Sequence, residues 1–172
     1  IRAISDSNKF DSCNLPVVNK VPHNSHVFIG HAYGSPRNWY FSDYLAPNVL
    51  NFIKDNKYLL KTVTFTGDIF SVPSLSKFNR LSSEFSQSQK IFISPGNHDV
   101  FRPDSRDIFN LSIFGSKSYP FVETLDELPV IFDDSVISDW MVSDETQELI
   151  NSQSSKNVII ARHNMPVVDL LY

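Results

Sequence analysis

Four short stretches of this chain set metal-ligand chemistry directly behind apolar runs. His31, with Tyr33, follows His26-Val27-Phe28-Ile29-Gly30, and Asp68 follows Leu59 to Thr66 and Gly67. Asn97, His98 and Asp99 follow Lys90 to Ser94 and Pro95-Gly96, and His163 follows Asn157 to Ala161 and Arg162. A carboxylate, an amide oxygen and imidazoles together suit a divalent first-row metal such as Mn, Fe, Zn or Ni. Each residue alone also reads as a turn, cap or loop residue, since Asp and Asn are common turn formers. Four turns that all carry ligand chemistry on one edge read as a site.

The elements that must position these residues are legible in the pattern around them. Apolar, β-branched runs closed by Gly or Pro read as buried strands ending in turns. In open α/β sheets ligands bind outside the carboxyl ends of the strands. Between the strands, a helix opening at Ser42-Asp43 carries Leu45, Val49, Leu50, Phe52 and Ile53. A second, Ser74 to about Gln87, carries Leu75, Phe78, Leu81 and Phe85 at helical spacing. Strand, helix, strand, helix, strand predicts parallel strands joined by right-handed crossovers. Phe101 to Ser118 has no clean period and reads as an extended loop with about one helical turn. Tyr119 to Thr124 and Leu128 to Asp133 are expected to pair around Leu125-Asp126-Glu127. Ser143 caps an acidic-first-turn helix that carries Leu149 and Ile150. Residues 1–24 read as an irregular arm with Val17-Val18 as a short edge strand, and residues 25–172 as one domain.

At 172 residues and 41% hydrophobic, with 14 Phe, the chain can bury a solid core. Its net charge is -4 and no Lys/Arg block occurs, which argues against an extended nucleic-acid or anionic-membrane surface. No apolar run approaches a membrane span. Cys13 is the only cysteine, so neither an intrachain disulfide nor a cysteine-based zinc knot is available. That usage suits a reducing compartment, and a cytoplasmic location is the expectation.

The residues Gly67-Asp68, Gly96-Asn97-His98-Asp99 and Val158-Ile-Ile-Ala-Arg-His163-Asn-Met-Pro166, in this order, resemble the calcineurin-like metallophosphoesterases. The resemblance covers about residues 25 to 166. It implies a layered α/β sandwich with a mostly parallel central sheet and flanking helices. It also implies two divalent metal ions that activate water for attack on a phosphoester. Asp68 would bridge the two ions, and Asn97 and His163 would bind the second. His31-Ala-Tyr33 stands where the family has Asp-x-His, so His31 is the candidate ligand there and brings no negative charge. His98 would act beside the substrate as an acid or charge stabiliser, and Asp99 would hold its ring. No Gly-His-x-His segment follows His163, which implies a truncated chain, a site completed by another chain, or a partial site.

Arg37 and Arg162 are the basic residues nearest the expected site. Each can hold phosphate oxygens as a charge-assisted pair, and each also reads as a surface or ion-paired arginine. The substrate is expected to be phosphorylated, its class left open. Two rivals stand beside hydrolysis: a non-catalytic binding module with a degenerate site, and a metal enzyme of another reaction class.

Overall fold

The computed structural model describes residues 2–4, 10–12, 20–34, 43–85, 87, 89–155 and 157–164. In the arm, β1 (Arg2–Ile4) and β2 (Phe10–Ser12) pair antiparallel. The arm is therefore not irregular throughout, and Val17-Val18 lies outside the described residues.

Three strands then alternate with two helices: β3 (Ser25–Ile29), α1 (Pro47–Asp55), β4 (Leu60–Thr66), α2 (Leu75–Phe85) and β5 (Lys90–Ser94). The sheet order is β3-β4-β5, all parallel. Ile29 lies opposite Phe65, and Phe65 opposite Ile93. This register levels the three carboxyl ends, so the loops after them leave from one edge. The first helix starts at Pro47 rather than at Ser42-Asp43. Proline at a first helical position has its φ preset and loses no intrahelical bond.

β4 and β5 are buried on both faces, while β3 is half-buried and exposes Phe28, and the period-2 alternation assigns residues to each face. Val63 and Phe65 of β4, with Ile91 and Ile93 of β5, join Ile53, Phe78, Leu81 and Phe109 in the larger apolar cluster. Burying each such side chain is worth about 1.5–3 kcal/mol. Phe92 points into a smaller cluster with Leu125, Val130, Phe132 and Ala161.

The rest of the chain adds α3 (Asn97–Val100), α4 (Pro103–Leu111), β6 (Phe121–Leu125), β7 (Leu128–Phe132), α5 (Asp144–Ser152) and β8 (Ile159–Ala161). The expected loop over 101–118 is thus corrected in part, because nine of its residues form α4. Pro103 marks that helix's start rather than a break. β6 and β7 form the expected hairpin, with Asp126 and Glu127 both at positive φ (46° and 71°). Two consecutive left-handed residues match the twist of a tight hairpin. The Ser143 hydroxyl accepts the Thr146 amide as the cap of α5.

One mostly parallel central sheet is not what the strands build. β6, β7 and β8 form a second three-stranded sheet, antiparallel between β6 and β7 and parallel between β7 and β8. It lies against the first through Phe92 and Phe132, whose rings stack at 4.9 Å. The buried Ser94 hydroxyl also donates to Ala161 O at 2.6 Å. The molecule is α/β, with a parallel three-stranded sheet, helices on one face and a mixed sheet on the other. No described helix is long and apolar enough to cross a membrane.

Candidate metal centre

The centre is built from the turn that ends β4. Gly67 has φ 85° and Asp68 has φ 53°, a left-handed pair that turns the Asp68 side chain back into the protein, where it is 1% exposed. Asp tolerates this region better than most L-residues. Two glycines make room around it. A Cβ on Gly67 would come within 2.5 Å of the His163 ring, and one on Gly96 within 2.4 Å of Asp68 N. The Gly-Asp and Gly-Asn pairs of the sequence are therefore packing requirements of the site itself.

His163 follows β8 and reaches Asp68 across the junction of the two sheets. Its Nδ1 lies 3.0 Å from Thr66 O, which can only accept, so Nδ1 carries the proton. In the neutral ring Nε2 is then a lone pair, and it faces Asp68 Oδ1 at 3.4 Å and Asn97 Oδ1 at 3.2 Å. In that state three acceptors converge, a set that a metal cation or a proton on Nε2 satisfies. On the other side of the carboxylate, His31 Nδ1 lies 3.4 Å from Asp68 Oδ2, with a side chain 64% exposed. His31 also has positive φ, 48°. The ligand atoms of His31, Asp68 and His163 all lie within 4.8 Å of one another. Asn97 adds an amide oxygen to that set.

Strained φ at two of the residues in such a cluster costs of order 1–3 kcal/mol each and persists where surroundings dictate it. Here the surroundings include the His98 amide, which donates to Asp68 Oδ1 at 3.1 Å. They also include the pairing of Asn164 with Ser135, which anchors the residue after His163.

His98 lies at the rim, exposed, with Nδ1 3.2 Å from Ser71 O. That carbonyl orients the ring and leaves Nε2 free of a described partner. Asp99 does not hold the His98 ring. It is fully buried and turned the other way, accepting the amides of Ile69 (3.1 Å) and Gly96 (3.0 Å). As the third residue of α3 it bonds the backbone of that helix's own cap, the position an acidic side chain takes in a capping box. Burial pushes its carboxyl up to about 6, against the downward pull of the Gly96 amide. Asp99 is a clamp between the loops after β4 and β5, not a partner of His98.

Arg162 is likewise placed away from a substrate role. Its guanidinium donates to the carbonyls of Trp140 (3.0 Å) and Met141 (3.1 Å) and pairs with Asp133 at 3.4 Å. Those carbonyls follow a turn with Asp139 and Trp140 at positive φ, which no local motif announces. Arg37 and the adjacent Trp39-Tyr40-Phe41 lie outside the described residues. Tyr33 is buried at 4%, with its ring 5.4 Å from that of His98. Its hydroxyl is pushed above its ordinary value by burial, then by Asp68 and Asp99.

The structure therefore brings together His31, Asp68, Asn97, His98 and His163, and separates Asp99 and Arg162 from them. Sequence reasoning missed the two carbonyls, Thr66 and Ser71, that orient the two histidines. Backbone acceptors leave no residue-type signal. No protein-family model matches the chain, and no curated protein matches it.

Proposed function

We propose that this protein is a metal-dependent phosphoester hydrolase of the calcineurin-like metallophosphoesterase kind, its two sheets forming that family's layered sandwich. The observation that carries this reading is the meeting of His163 Nε2, Asp68 Oδ1 and Asn97 Oδ1 without a donor. Lone pairs aimed at one another inside a protein are unfavourable, and either a metal cation between them or a proton on Nε2 relieves them. Imidazole, carboxylate and amide oxygen suit Mn, Fe, Zn or Ni.

Asp68 Oδ1, Asn97 Oδ1 and His163 Nε2 would hold one ion, and Asp68 Oδ2 with His31 Nδ1 would hold the other. The second position is the poorer, because His31 brings no charge and its side chain is mostly exposed. When bound, such ions polarise a phosphoryl oxygen and acidify a water near neutral pH. Asp68 supplies the anionic charge shared by both positions. Thr66 O keeps the His163 lone pair aimed inward, as outer partners of metal-binding histidines commonly do. His98, outside the ligand cluster and with Nε2 free, protonates the leaving oxygen or steadies phosphoryl charge at the rim. Substrate binding is assigned to neither Arg162 nor a residue outside the described range.

The test is hydrolysis of a generic aryl phosphate with Mn or Zn, alongside metal content. Metal-dependent turnover supports the reading; bound metal without turnover in any phosphoester rejects it. A second reading, a non-catalytic binding module on the same fold, is favoured by one observation, the lack of a carboxylate among the described residues on the Oδ2 side of Asp68. One or no bound ion together with no turnover would select it.

A further inference from the structure

A cavity of about 290 Å³ opens beside His98, between the loop after Asp68 and the segment that joins α3 to α4. Its walls are fixed by the residues that hold His98 itself. On one wall Ser71 O lies 3.2 Å from His98 Nδ1. The next residue, Val72, is pinned there by Lys77 Nζ, which donates to its carbonyl at 2.7 Å. On the other wall the Phe101 amide donates to Asn97 O at 2.9 Å, closing the single turn that carries Asn97 and His98. His98 and Phe101 stand at i and i+3 of that turn, and so share a face.

Much of what these walls present is apolar. Val72 and Phe101 line the cavity at 63% and 75% exposure, and Pro73 and Ile108 line it with them. A large apolar side chain exposed alone is ordinary. Two of them on the walls of one cavity, beside a histidine whose Nε2 has no described partner, form an apolar surface suited to a ligand. The charged groups of the lining, Arg102 and Asp104, are opposite in sign and give it no net pull on a second anion. The Tyr33 ring backs that of His98 at 5.4 Å and extends the aromatic surface. An apolar cavity of about 150 Å³ is enough to hold a benzene ring, so the space beside His98 admits one.

We infer that this cavity seats the leaving group of the substrate, and that the substrate class is a phosphoester of an alcohol carrying an aromatic ring. His98 decides the occupant. As the water oxygen bonds phosphorus and the ester P–O bond breaks, the alkoxide leaves with the His98 proton. Its organic group must therefore lie on the His98 side, and the space there is bounded by Val72 and Phe101. A ring is favoured over a flexible chain because it packs on the Phe101 ring and loses little freedom on binding. The assignment of a leaving group rests on the hydrolase reading; the aromatic subsite rests on the cavity and its lining.

The experiment has two arms on the full chain loaded with Mn²⁺. In the first, benzylphosphonate and methylphosphonate, which have no ester bond to split, are titrated by calorimetry. Benzylphosphonate should bind roughly tenfold tighter or more, the scale of discrimination an apolar pocket gives. Phe101→Ala should remove most of that preference, and Phe101→Tyr, which keeps the ring, should retain it. No binding of benzylphosphonate, equal affinities, or a preference that Phe101→Ala leaves in place overturns the subsite. In the second arm, benzyl phosphate and methyl phosphate, whose alcohols leave about equally well, are compared as substrates. The kcat/KM ratio should favour benzyl phosphate roughly tenfold and fall toward unity in Phe101→Ala. Turnover of both at equal kcat/KM removes the substrate class and leaves the hydrolase standing. Phosphonate binding as expected, with no turnover of either ester, removes the hydrolase and leaves the aromatic subsite.

Discussion

The parallel sheet carries a histidine–aspartate pair at each end, and the two pairs are built in opposite ways. At its amino-terminal end His26 Nε2 meets Asp126 Oδ2 at 2.8 Å, and Nδ1 meets the Thr62 hydroxyl at 2.8 Å. Lys61 also pairs with Asp126. Every acceptor there has a donor, and a hydroxyl can serve either tautomer of the ring. At the carboxyl-terminal end the His163 ring is fixed by Thr66 O, and its other nitrogen faces only acceptors, at 3.2 and 3.4 Å. The first cluster is a closed joint between β3 and the β6–β7 turn. The second is an open set of acceptors, which we read as the ligands of a cation. Residue types alone do not separate them; the distances and the direction of each proton do.

The comparison can be broken at several points, and the largest effect is expected at the rim. His98→Ala should slow turnover of an aryl phosphate by roughly 10²–10⁴-fold, the range for a general acid or base. Metal content should stay at the wild-type level; metal loss would make His98 a ligand.

Asp68→Asn comes next. Affinity for Mn or Zn should fall by about a hundredfold, since even outer partners of ligands cost 10–100-fold when removed. Thermal melts should rise on adding metal in the wild type, by about 2.7 kcal/mol at a hundred times Kd, and stay flat in the variant. Equal metal-induced shifts in both proteins would show that the ion is bound elsewhere.

Asp99→Ala separates a clamp from a catalytic partner. It strands the Ile69 and Gly96 amides, at about 1–3 kcal/mol each, so denaturant melts should show a loss of about 2–6 kcal/mol. The pH profile of kcat should keep its wild-type shape in the folded fraction. A displaced profile with stability unchanged would restore Asp99 to the side of His98.

The smallest effect belongs to the closed joint. The Lys61 hydrogen bond, and then that of His26, hold the Asp126 carboxyl below its ordinary 3.8. A depressed acid stabilises the fold above its unfolded value and loses that contribution as pH falls through the folded one. Asp126→Asn should therefore flatten the acid limb of the stability curve below about pH 3.8 and leave metal binding untouched. An unchanged acid limb would show that the pair contributes nothing to folding.

Much of this was readable in the chain. Ile91-Phe92-Ile93 closed by Pro95-Gly96, and the run before Gly67, located two strands and the turns that carry Asn97 and Asp68. Side-chain period settled which face of each strand is buried, but not which strands share a sheet. That depends on long-range pairing, and so the second sheet was not separable from the first. α4 was obscured because Asp104, Ser105, Arg106 and Asp107 dilute its apolar face and Pro103 reads as a breaker as easily as a start. Asp99 and Arg162 failed for one shared reason. A charged side chain beside a site was free to turn toward backbone groups of its own fold, and backbone groups have no letter in a sequence.

The most direct measurement is anomalous diffraction from crystals of this chain grown with Mn²⁺. The expected result is a peak in contact with Asp68 Oδ1, Asn97 Oδ1 and His163 Nε2. A map without a peak there at saturating Mn²⁺, with the three side chains ordered and turned apart, would contradict a cation at the heart of this protein.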